Sequence, residues 1–264
     1  RSMASTFFFS YNNGRKEKEE RERMDMALLE VRHLKKTYTN RFGTNQVQAL
    51  RDVSFTIEEG EFTAVMGESG SGKTTLLNLL ASFDRPTGGE IILNGISLQN
   101  IREKDLASYR RKNLGFVFQD FNLLDTLSEE LKKRVMPLAK VLRIDDLMEK
   151  FPYEISGGQK QRTAIARALI TEPRLVLADE PTGALDSRAS NELLNMFEQI
   201  NRAGQTILMV THSTKAASHA GRVLFIKDGI VYHQIYRGDK SRDEMFKSIS
   251  ETLTVMASGG KTHA

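Results

Sequence analysis

The sequence contains no cysteine, which excludes disulfide scaffolds, thiolate zinc sites and cysteine nucleophiles. It also has no run approaching ~18 uninterrupted apolar residues, so we expect no segment that spans a membrane. The 38 basic and 34 acidic residues leave an interspersed net charge of +4, from which we predict no nucleic-acid partner. Hydrophobic residues make up 39% of the 264 positions, enough for the core of one large domain or two small ones.

The two ends of the chain differ in pattern from its middle. Residues 1–26 combine an aromatic cluster with a dense charge run, so we assign them to a disordered tail or an expression remnant. Pairs of opposite charge four residues apart in this segment make a short helix the alternative prediction. At the other end, Ser241 and Glu244 form a capping-box pattern, which predicts a helix within residues 241–264. Its apolar face packs on its own domain or docks on a partner, and the first alternative is favoured.

Short apolar runs rich in Val, Ile and Phe alternate with helical patterns from Leu28 onward. We predict strands at Leu28–Leu34, Val47–Ile57, Glu61–Met66, Glu90–Leu93, Leu114–Phe118, Arg174–Asp179, Thr206–Thr211, Arg222–Lys227 and Ile230–Tyr236. We predict helices at Lys73–Ser82, Glu103–Lys112, Glu129–Lys150, Gly157–Thr171, Ser187–Arg202 and Ser241–Met256. The pairs Asn94-Gly95 and Asp228-Gly229 favour tight primed turns, so antiparallel pieces are expected near both ends of the chain. The alternation in the middle indicates an α/β fold, with a parallel sheet covered by helices.

A glycine-rich segment lies between a predicted strand and a predicted helix. It consists of Gly67, Glu68, Ser69, Gly70, Ser71, Gly72, Lys73, Thr74 and Thr75. Glycines let backbone N–H groups curl around a phosphate, and the helix N-terminus adds its positive dipole end. Lys73 can neutralise the outer phosphates, and Thr74 can ligate Mg²⁺. The segment therefore predicts a phosphate cradle, with a structural glycine turn as the alternative.

Two further strands end in polar residues. Asp179 and Glu180 close one apolar run, and because successive side chains on a strand point to opposite sides, the two carboxylates can do different jobs. One can hold the metal shell while the other faces the water that attacks the γ-phosphorus. His212 closes the next strand and can hydrogen-bond a γ-phosphate or link the water to the base. Taken alone, each of these residues could instead be a cap or a surface turn.

A second anion-binding helix start is predicted at Ser156-Gly157-Gly158-Gln159. Ser156 is a good N-cap, and the two glycines let a backbone come very close to a ligand. The chain has only one phosphate cradle, and that cradle already carries its own glycines and lysine. The second helix start therefore predicts a site for a nucleotide bound on another copy of the chain.

In combination, these residues resemble the nucleotide-binding subunit of an ABC transporter, from about Leu28 to Tyr236. The resemblance implies a P-loop NTPase with a mixed sheet, a RecA-like core, an N-terminal antiparallel β subdomain and an α-helical signature subdomain at about residues 120–172. It implies a nucleotide-binding domain at residues 27–240. Two subunits would sandwich two ATP molecules, with Mg²⁺, between the cradle of one and the signature turn of the other.

The resemblance also implies roles for individual residues. Glu180 would be the catalytic base, His212 the switch histidine, and Asp179 would hold Mg²⁺ through water. Tyr38 would stack on adenine, and Gln119 would lie between the metal site and the membrane subunit.

The predicted site residues form four sets. The catalytic residues are Glu180, His212 and Gln119, and the metal ligands are Thr74, Gln119 and Asp179. The ATP-binding residues are Tyr38, Gly67, Ser69, Gly70, Ser71, Gly72, Lys73, Thr74 and Thr75. The residues predicted to bind the ATP of the opposite protomer are Ser156, Gly157, Gly158, Gln159 and Asp186.

Finer motifs, from Ala178 to Arg188 and from Gln119 to Asp125, are similar to the branch that includes lipoprotein-releasing and macrolide-exporting ATPases, most of all its bacitracin-type resistance members. The resemblance implies a peripheral protein on the cytoplasmic face of the bacterial membrane. It would drive an integral membrane permease that handles antimicrobial peptides or lipid-linked molecules. Two alternative functions stay open. One is signalling together with the permease and a histidine kinase, and the other is a role in cell division. The chain departs from the resistance members in the short segment between Gln119 and Ser156, where such subunits contact the permease.

Overall fold

The structure, a computed structural model, describes residues 27–39, 46–118, 136, 138–147 and 150–258. The predicted tail at residues 1–26, the predicted site residue Gln119 and residues 129–135, 137, 148 and 149 of the predicted helix Glu129–Lys150 lie outside the described residues. In the described part of that helix the prediction is wrong beyond Val141, because Arg143 has a φ of 54° and a short 3-10 helix follows at Asp145–Leu147. The proposed domain bounds at residues 27–240 and 241–264 stay predictions.

A ten-stranded mixed sheet organises the described part of the chain. Its strands are β1 (Leu29–Thr39), β2 (Gln46–Ile57), β3 (Phe62–Met66), β4 (Gly88–Leu93), β5 (Ile96–Ser97), β6 (Leu114–Val117), β7 (Leu175–Asp179), β8 (Thr206–Val210), β9 (Arg222–Lys227) and β10 (Ile230–Tyr236). The spatial order is β5-β4-β1-β2-β10-β9-β3-β8-β7-β6. The run from β9 to β6 is parallel, whereas β1, β2, β4 and β5 pair antiparallel, as do β9 and β10. The predicted α/β fold with a mixed sheet is confirmed.

Helices cover this sheet. They are α1 (Lys73–Leu80), α2 (Glu103–Asn113), α3 (Gly157–Leu169), α4 (Ser187–Arg202), α5 (Thr214–Ala217) and α6 (Arg242–Ala257). The predicted helices agree with α1, α2, α3, α4 and α6 to within two residues at each end. The last helix begins one residue later than predicted because Ser241 is its N-cap, with Ser241 Oγ accepting a 3.2 Å hydrogen bond from the Glu244 N–H.

Two short elements and one strand end differ from the sequence expectation. β5 and α5 are two and four residues long, too short to produce a periodic pattern. β1 continues to Thr39, five residues beyond the predicted end at Leu34. The prediction ended too early because of a bulge. His33 has a positive φ of 48°, and the register with β2 shifts on both sides of Leu34, which interrupts the alternation of apolar residues on which the prediction relied.

The predicted tight turns are present where the dipeptides indicated them. Asn94 and Gly95 have φ values of 54° and 75°, and Asp228 and Gly229 have values of 49° and 73°. Positive φ at both central positions is what a type I′ hairpin turn requires. The first turn joins β4 to β5 and the second joins β9 to β10, which fixes the register of both hairpins.

The core has two parts, one on each face of the sheet, because side chains alternate along the buried strands. On β3, Ala64 and Met66 belong to one cluster and Val65 to the other. The C-terminal helix α6 contributes Met245 and Ile249, both fully buried, to the same cluster as Ala64. The apolar face of α6 therefore packs on this chain, as the favoured alternative expected.

A buried ion cluster fastens α6 to α4 and to the residues after α5. Glu198 Oε1 on α4 lies 2.9 Å from His219 Nδ1, 3.7 Å from Arg242 Nε and 3.8 Å from Arg237 Nη1, and its Oε2 accepts a 3.3 Å hydrogen bond from Arg202. The side chains of Glu198 and His219 are 9% and 5% exposed. Burial lowers the pKa of His219, while the charge of Glu198 acts in the opposite direction. Glu198 is thus the shared anion of this cluster.

We expect Glu198→Ala to lower the free energy of unfolding by about 2 kcal/mol, because it removes the carboxylate that faces the buried His219 ring and three partly exposed arginines. The matched control is Glu192→Ala on the same helix, whose half-exposed carboxylate also contacts two arginines, at 3.3 and 3.6 Å. That change should cost about 1 kcal/mol or less. Chemical denaturation of both variants measures the difference, and equal losses would contradict the assigned importance of Glu198.

Candidate functional site

The carboxyl ends of three neighbouring parallel strands meet at one edge of the sheet. Val210, at the end of β8, pairs with Val65 of β3 on one side and with Asp179 of β7 on the other. The glycine segment follows β3, Glu180 follows β7 and His212 follows β8. Ligands of open α/β sheets bind outside such strand ends. The fold therefore gathers three separate sequence signals into one place.

The glycine segment needs glycine at two positions for reasons of space and conformation. A Cβ at Gly67 would collide with the carbonyl oxygen of Ile226 in β9. Gly72 has a φ of 104°, and a Cβ there would lie 2.6 Å from the carbonyl oxygen of Ala49. Side chains at these positions would push the loop away from β9 and β2 and open the cradle.

The Lys73 side chain is hydrogen-bonded to the backbone of the glycine segment. Its Nζ donates hydrogen bonds of 2.8 Å to the carbonyl oxygens of Gly67 and Glu68. Burial lowers the pKa of Lys73, and the charges of Glu180 and Asp179 act against that shift. The hydroxyl of Ser71 is buried and has no hydrogen-bond partner among the described residues. The loop thus offers a cation, a free hydroxyl and the positive end of α1 to an anion.

Glu180 is held by the strand end next to it. Its backbone has a φ of 43°, and its N–H donates to the carbonyl oxygen of Val210 at 2.9 Å. Its Oε1 accepts from the N–H of His212 at 2.9 Å and lies 2.8 Å from His212 Nδ1. Its Oε2 accepts from Thr211 Oγ1 at 3.1 Å. The structure brings Glu180 and His212 into direct contact.

Thr211 is a contact of Glu180 that sequence reasoning missed as a site residue. It is fully buried, and besides Glu180 it binds the N–H of Ser213. The one sequence feature that could have indicated this role is the position of the Thr211 hydroxyl, between an apolar strand and His212. Because that position reads equally well as the last residue of a strand, only the fold identifies it.

Asp179 and its neighbours fit a hard divalent cation. Burial raises the pKa of Asp179, the charge of Glu180 raises it further, and Lys73 lowers it. Both hydrogen bonds of Lys73 Nζ go to backbone carbonyl oxygens, and neither goes to a carboxylate. A bound cation would therefore reduce the repulsion between the carboxylates of Asp179 and Glu180. Thr74, also predicted as a ligand, is exposed at the start of α1. Within the described ranges no three His, Cys, Asp or Glu residues could hold a metal together, so phosphate and water oxygens would complete the shell, which is typical of Mg²⁺.

Tyr38 reaches the cradle from β1. Its hydroxyl donates to Asp84 Oδ2 at 3.0 Å, and the Lys36 ammonium lies 4.8 Å from its ring centroid. Burial raises the pKa of the Tyr38 hydroxyl, whereas Thr75, the last residue of the glycine segment, is close enough to lower that pKa. The ring is 42% exposed and so retains surface for stacking on a base, and Lys36 and Asp84 are neighbours that the sequence did not indicate.

The Ser156 turn (residues 156–159) and Asp186 form a second group of predicted site residues, on elements separate from the cradle. Ser156 caps α3: its Oγ accepts from the Gln159 N–H at 3.3 Å, and Gln159 Oε1 accepts from the Ser156 N–H at 2.8 Å. Asp186 Oδ1 caps α4, accepting from the N–H groups of residues 188 and 189 at 2.9 and 2.8 Å. A Cβ on Gly158 would lie 3.2 Å from Ala189 Cβ, so the two helix starts are adjacent.

The predicted site residues therefore form two groups. The cradle, Asp179, Glu180, His212 and Tyr38 are connected around the strand ends, and Ser156, Gly157, Gly158, Gln159 and Asp186 cluster at two adjoining helix starts. Gln119 lies outside the described residues. The roles of these residues in binding and hydrolysis stay predictions.

Comparison with known proteins shows which family the chain is similar to. A family model described as ABC transporter matches residues 50–183. The ABC transporter ATP-binding protein YxdL of Bacillus subtilis (strain 168) is 47% identical over 246 residues, covering 87% of this chain and 94% of that protein. The bacitracin export ATP-binding protein BceA of Halalkalibacterium halodurans is 43% identical over 255 residues, covering 90% of this chain and all of that protein.

Solved structures are similar as well. The ATP-binding cassette MJ0796, seen as a dimer in a post-hydrolysis state with ADP and Pi, is 35% identical, with a TM-score of 0.71. The alignment covers 79% of this chain and 98% of that one. Across the described residues, no helix combines the length and the apolar character needed to cross a bilayer.

Proposed function

Because this chain belongs to the ABC transporter family, as an ATP-binding subunit that hydrolyses ATP, we propose that it acts as a head-to-tail homodimer that drives a membrane permease. One observation carries the proposal: the Ser156 turn is a capped, glycine-rich helix start on α3, an element separate from the one glycine cradle among the described residues. In a dimer with two-fold symmetry, each turn would complete the cradle of the partner. The dimeric state of the similar cassette MJ0796 supports this arrangement.

In the proposed mechanism, Thr74 and Asp179 would hold Mg²⁺, which would supply positive charge beside the phosphates. Lys73 holds the outer phosphates, and backbone N–H groups of the cradle position them. Glu180 accepts a proton from the water whose oxygen forms a bond to the γ-phosphorus, while the bond to the ADP oxygen breaks. The His212 N–H, 2.9 Å from Glu180 Oε1, keeps that carboxylate in place.

We propose that the permease partner places this protein at the cytoplasmic face of a bacterial membrane, and that the complex confers resistance to antimicrobial peptides. The support is the 43% identity to a bacitracin export ATP-binding protein over its whole length. In this proposal the permease, driven from the cytoplasmic face, moves or dislodges the peptide.

We expect the chain, expressed with its permease partner, to raise the bacitracin concentration that a sensitive bacterium survives. Lys73→Ala should abolish this protection because it removes the cation beside the phosphates. Lys104→Ala, an exposed lysine on α2, is the control and should protect like the wild type. Dose-survival curves measure the effect, and full protection by Lys73→Ala would contradict an ATP-driven process.

A further inference from the structure

Gln161 is a buried polar side chain that the mechanism above does not use. It stands on α3, two residues beyond Gln159, and is 1% exposed. Its Nε2 donates to the carbonyl oxygen of Pro181 at 2.8 Å and to that of Phe118 at 3.2 Å. Pro181 directly follows Glu180, and Phe118 directly precedes Gln119. One side chain therefore contacts the backbone beside two predicted catalytic residues.

The hydrogen bonds of this side chain are one-sided. A carboxamide has two N–H donors, and both are directed to carbonyl oxygens, which fixes its orientation. Its own oxygen, Oε1, is buried and has no donor among the described residues. A buried acceptor without a donor reduces stability, so an apolar side chain of the same size would avoid that cost. The advantage of glutamine here lies in its two donated hydrogen bonds.

These hydrogen bonds connect α3, which begins at the Ser156 turn, to the loop that follows Glu180. Gln161 is five residues from Ser156, about 7.5 Å along the axis of one rigid helix. The loop beyond Pro181 is compact: the Gly183 N–H donates to the Glu180 carbonyl oxygen at 2.9 Å, and the Leu185 N–H donates to that of Thr182 at 3.1 Å. The hydrogen bond from Gln161 to Pro181 therefore links α3 to the backbone next to Glu180.

We propose that Gln161 is a positioning residue, which holds Glu180 in its reactive place according to the position of the Ser156 turn. The inference rests on the proposed function, because it takes Glu180 as the base and the Ser156 turn as the partner's phosphate contact. Engagement of that turn by the nucleotide of the other copy would thus be transmitted to Glu180 through α3. Hydrolysis would depend on Gln161, whereas ATP binding in the cradle would not.

The chain contains a matched control at the opposite edge of the same sheet. Gln205 is 7% exposed, and its Nε2 donates to the carbonyl oxygens of Pro173 and Arg174 at 3.1 and 3.3 Å. These groups lie at the amino ends of β7 and β8, away from the catalytic edge. Removing either glutamine deletes a buried amide that is hydrogen-bonded to a proline carbonyl, but only Gln161 lies beside Glu180.

The test compares Gln161→Met with Gln205→Met in the full chain. We measure kcat and KM for ATP hydrolysis, the affinity for a fluorescent ATP analogue, and Tm. Both variants should lose Tm to a similar extent. Gln161→Met should lower kcat by roughly tenfold or more, since small misplacements of catalytic groups are costly. Its KM and analogue affinity should stay at the wild-type value, and Gln205→Met should keep the wild-type kcat.

Equal kcat values for the two variants would overturn the proposal. If Gln161→Met does not fold, Gln161→Asn replaces it, with Gln205→Asn as its control. Asparagine keeps the amide but is one methylene shorter and cannot bridge both carbonyls, so kcat should fall here too, and an unchanged kcat would overturn the proposal. A wild-type chain that hydrolyses ATP while it stays monomeric with nucleotide at every concentration would contradict the dimer instead, which separates the two failures.

Discussion

The Glu180→Gln variant is expected to bind ATP like the wild type and to hydrolyse it roughly 100- to 1,000-fold more slowly, the usual contribution of a general base. The amide keeps the size of the side chain and can still accept one hydrogen bond from His212 or Thr211, but it cannot take a proton from water. Single-turnover hydrolysis and binding of a fluorescent ATP analogue measure the two quantities separately. ATP-bound dimers should accumulate on gel filtration because they cannot proceed to ADP.

A second glutamate provides the control for this experiment. Glu172 also has a positive φ, 52° against 43° for Glu180, but it is exposed at the end of a helix rather than at the strand edge. Glu172→Gln should keep the wild-type rate. Normal turnover by Glu180→Gln would mean that another group accepts the proton, and His212, 2.8 Å away, would be the first to examine.

The sequence was sufficient to predict the fold class and the strand ends that carry the site. Apolar runs that end in Asp179 or His212 indicate where a buried parallel strand reaches solvent, and this depends only on local composition. The adjacency of these ends follows from strand order, in which β8 lies between β3 and β7 although it comes last of the three along the chain. Only the resemblance to ABC subunits, and not local pattern, could indicate that order.

Other features of the site depend on contacts that a local pattern does not encode. Lys36, Asp84 and Tyr38 meet because β1 continues beyond the bulge at His33 and past its predicted end. Gln161 in the sequence looks like any polar residue on a helix, and only the fold reveals that its amide is buried between two carbonyl groups. Polar residues buried by tertiary structure thus remain hidden in a one-sequence analysis.

The shared nucleotide site makes a strong prediction for mixtures of inactive variants. Lys73→Ala damages the cradle, and Ser156→Arg damages the turn by adding bulk and charge, at the cost of an N-cap worth about 1 kcal/mol. Each variant alone should hydrolyse almost no ATP, because both sites of its dimer carry the same damage. In a mixed dimer, one site combines the intact cradle with the intact turn. With random pairing, half of the dimers are mixed, and an equimolar mixture should recover about a quarter of the wild-type rate.

The decisive control is a second mixture, of Lys73→Ala with Glu180→Gln. Both changes lie on the cradle side, so every site of every dimer carries one of them and no activity should return. Recovery in the first mixture alone requires that Lys73 and Ser156 at one site come from different chains. If neither mixture recovers activity while both pairs still form ATP-dependent dimers, Ser156 acts within its own chain. The separation of the cradle from the Ser156 turn would then need an explanation other than a partner's nucleotide.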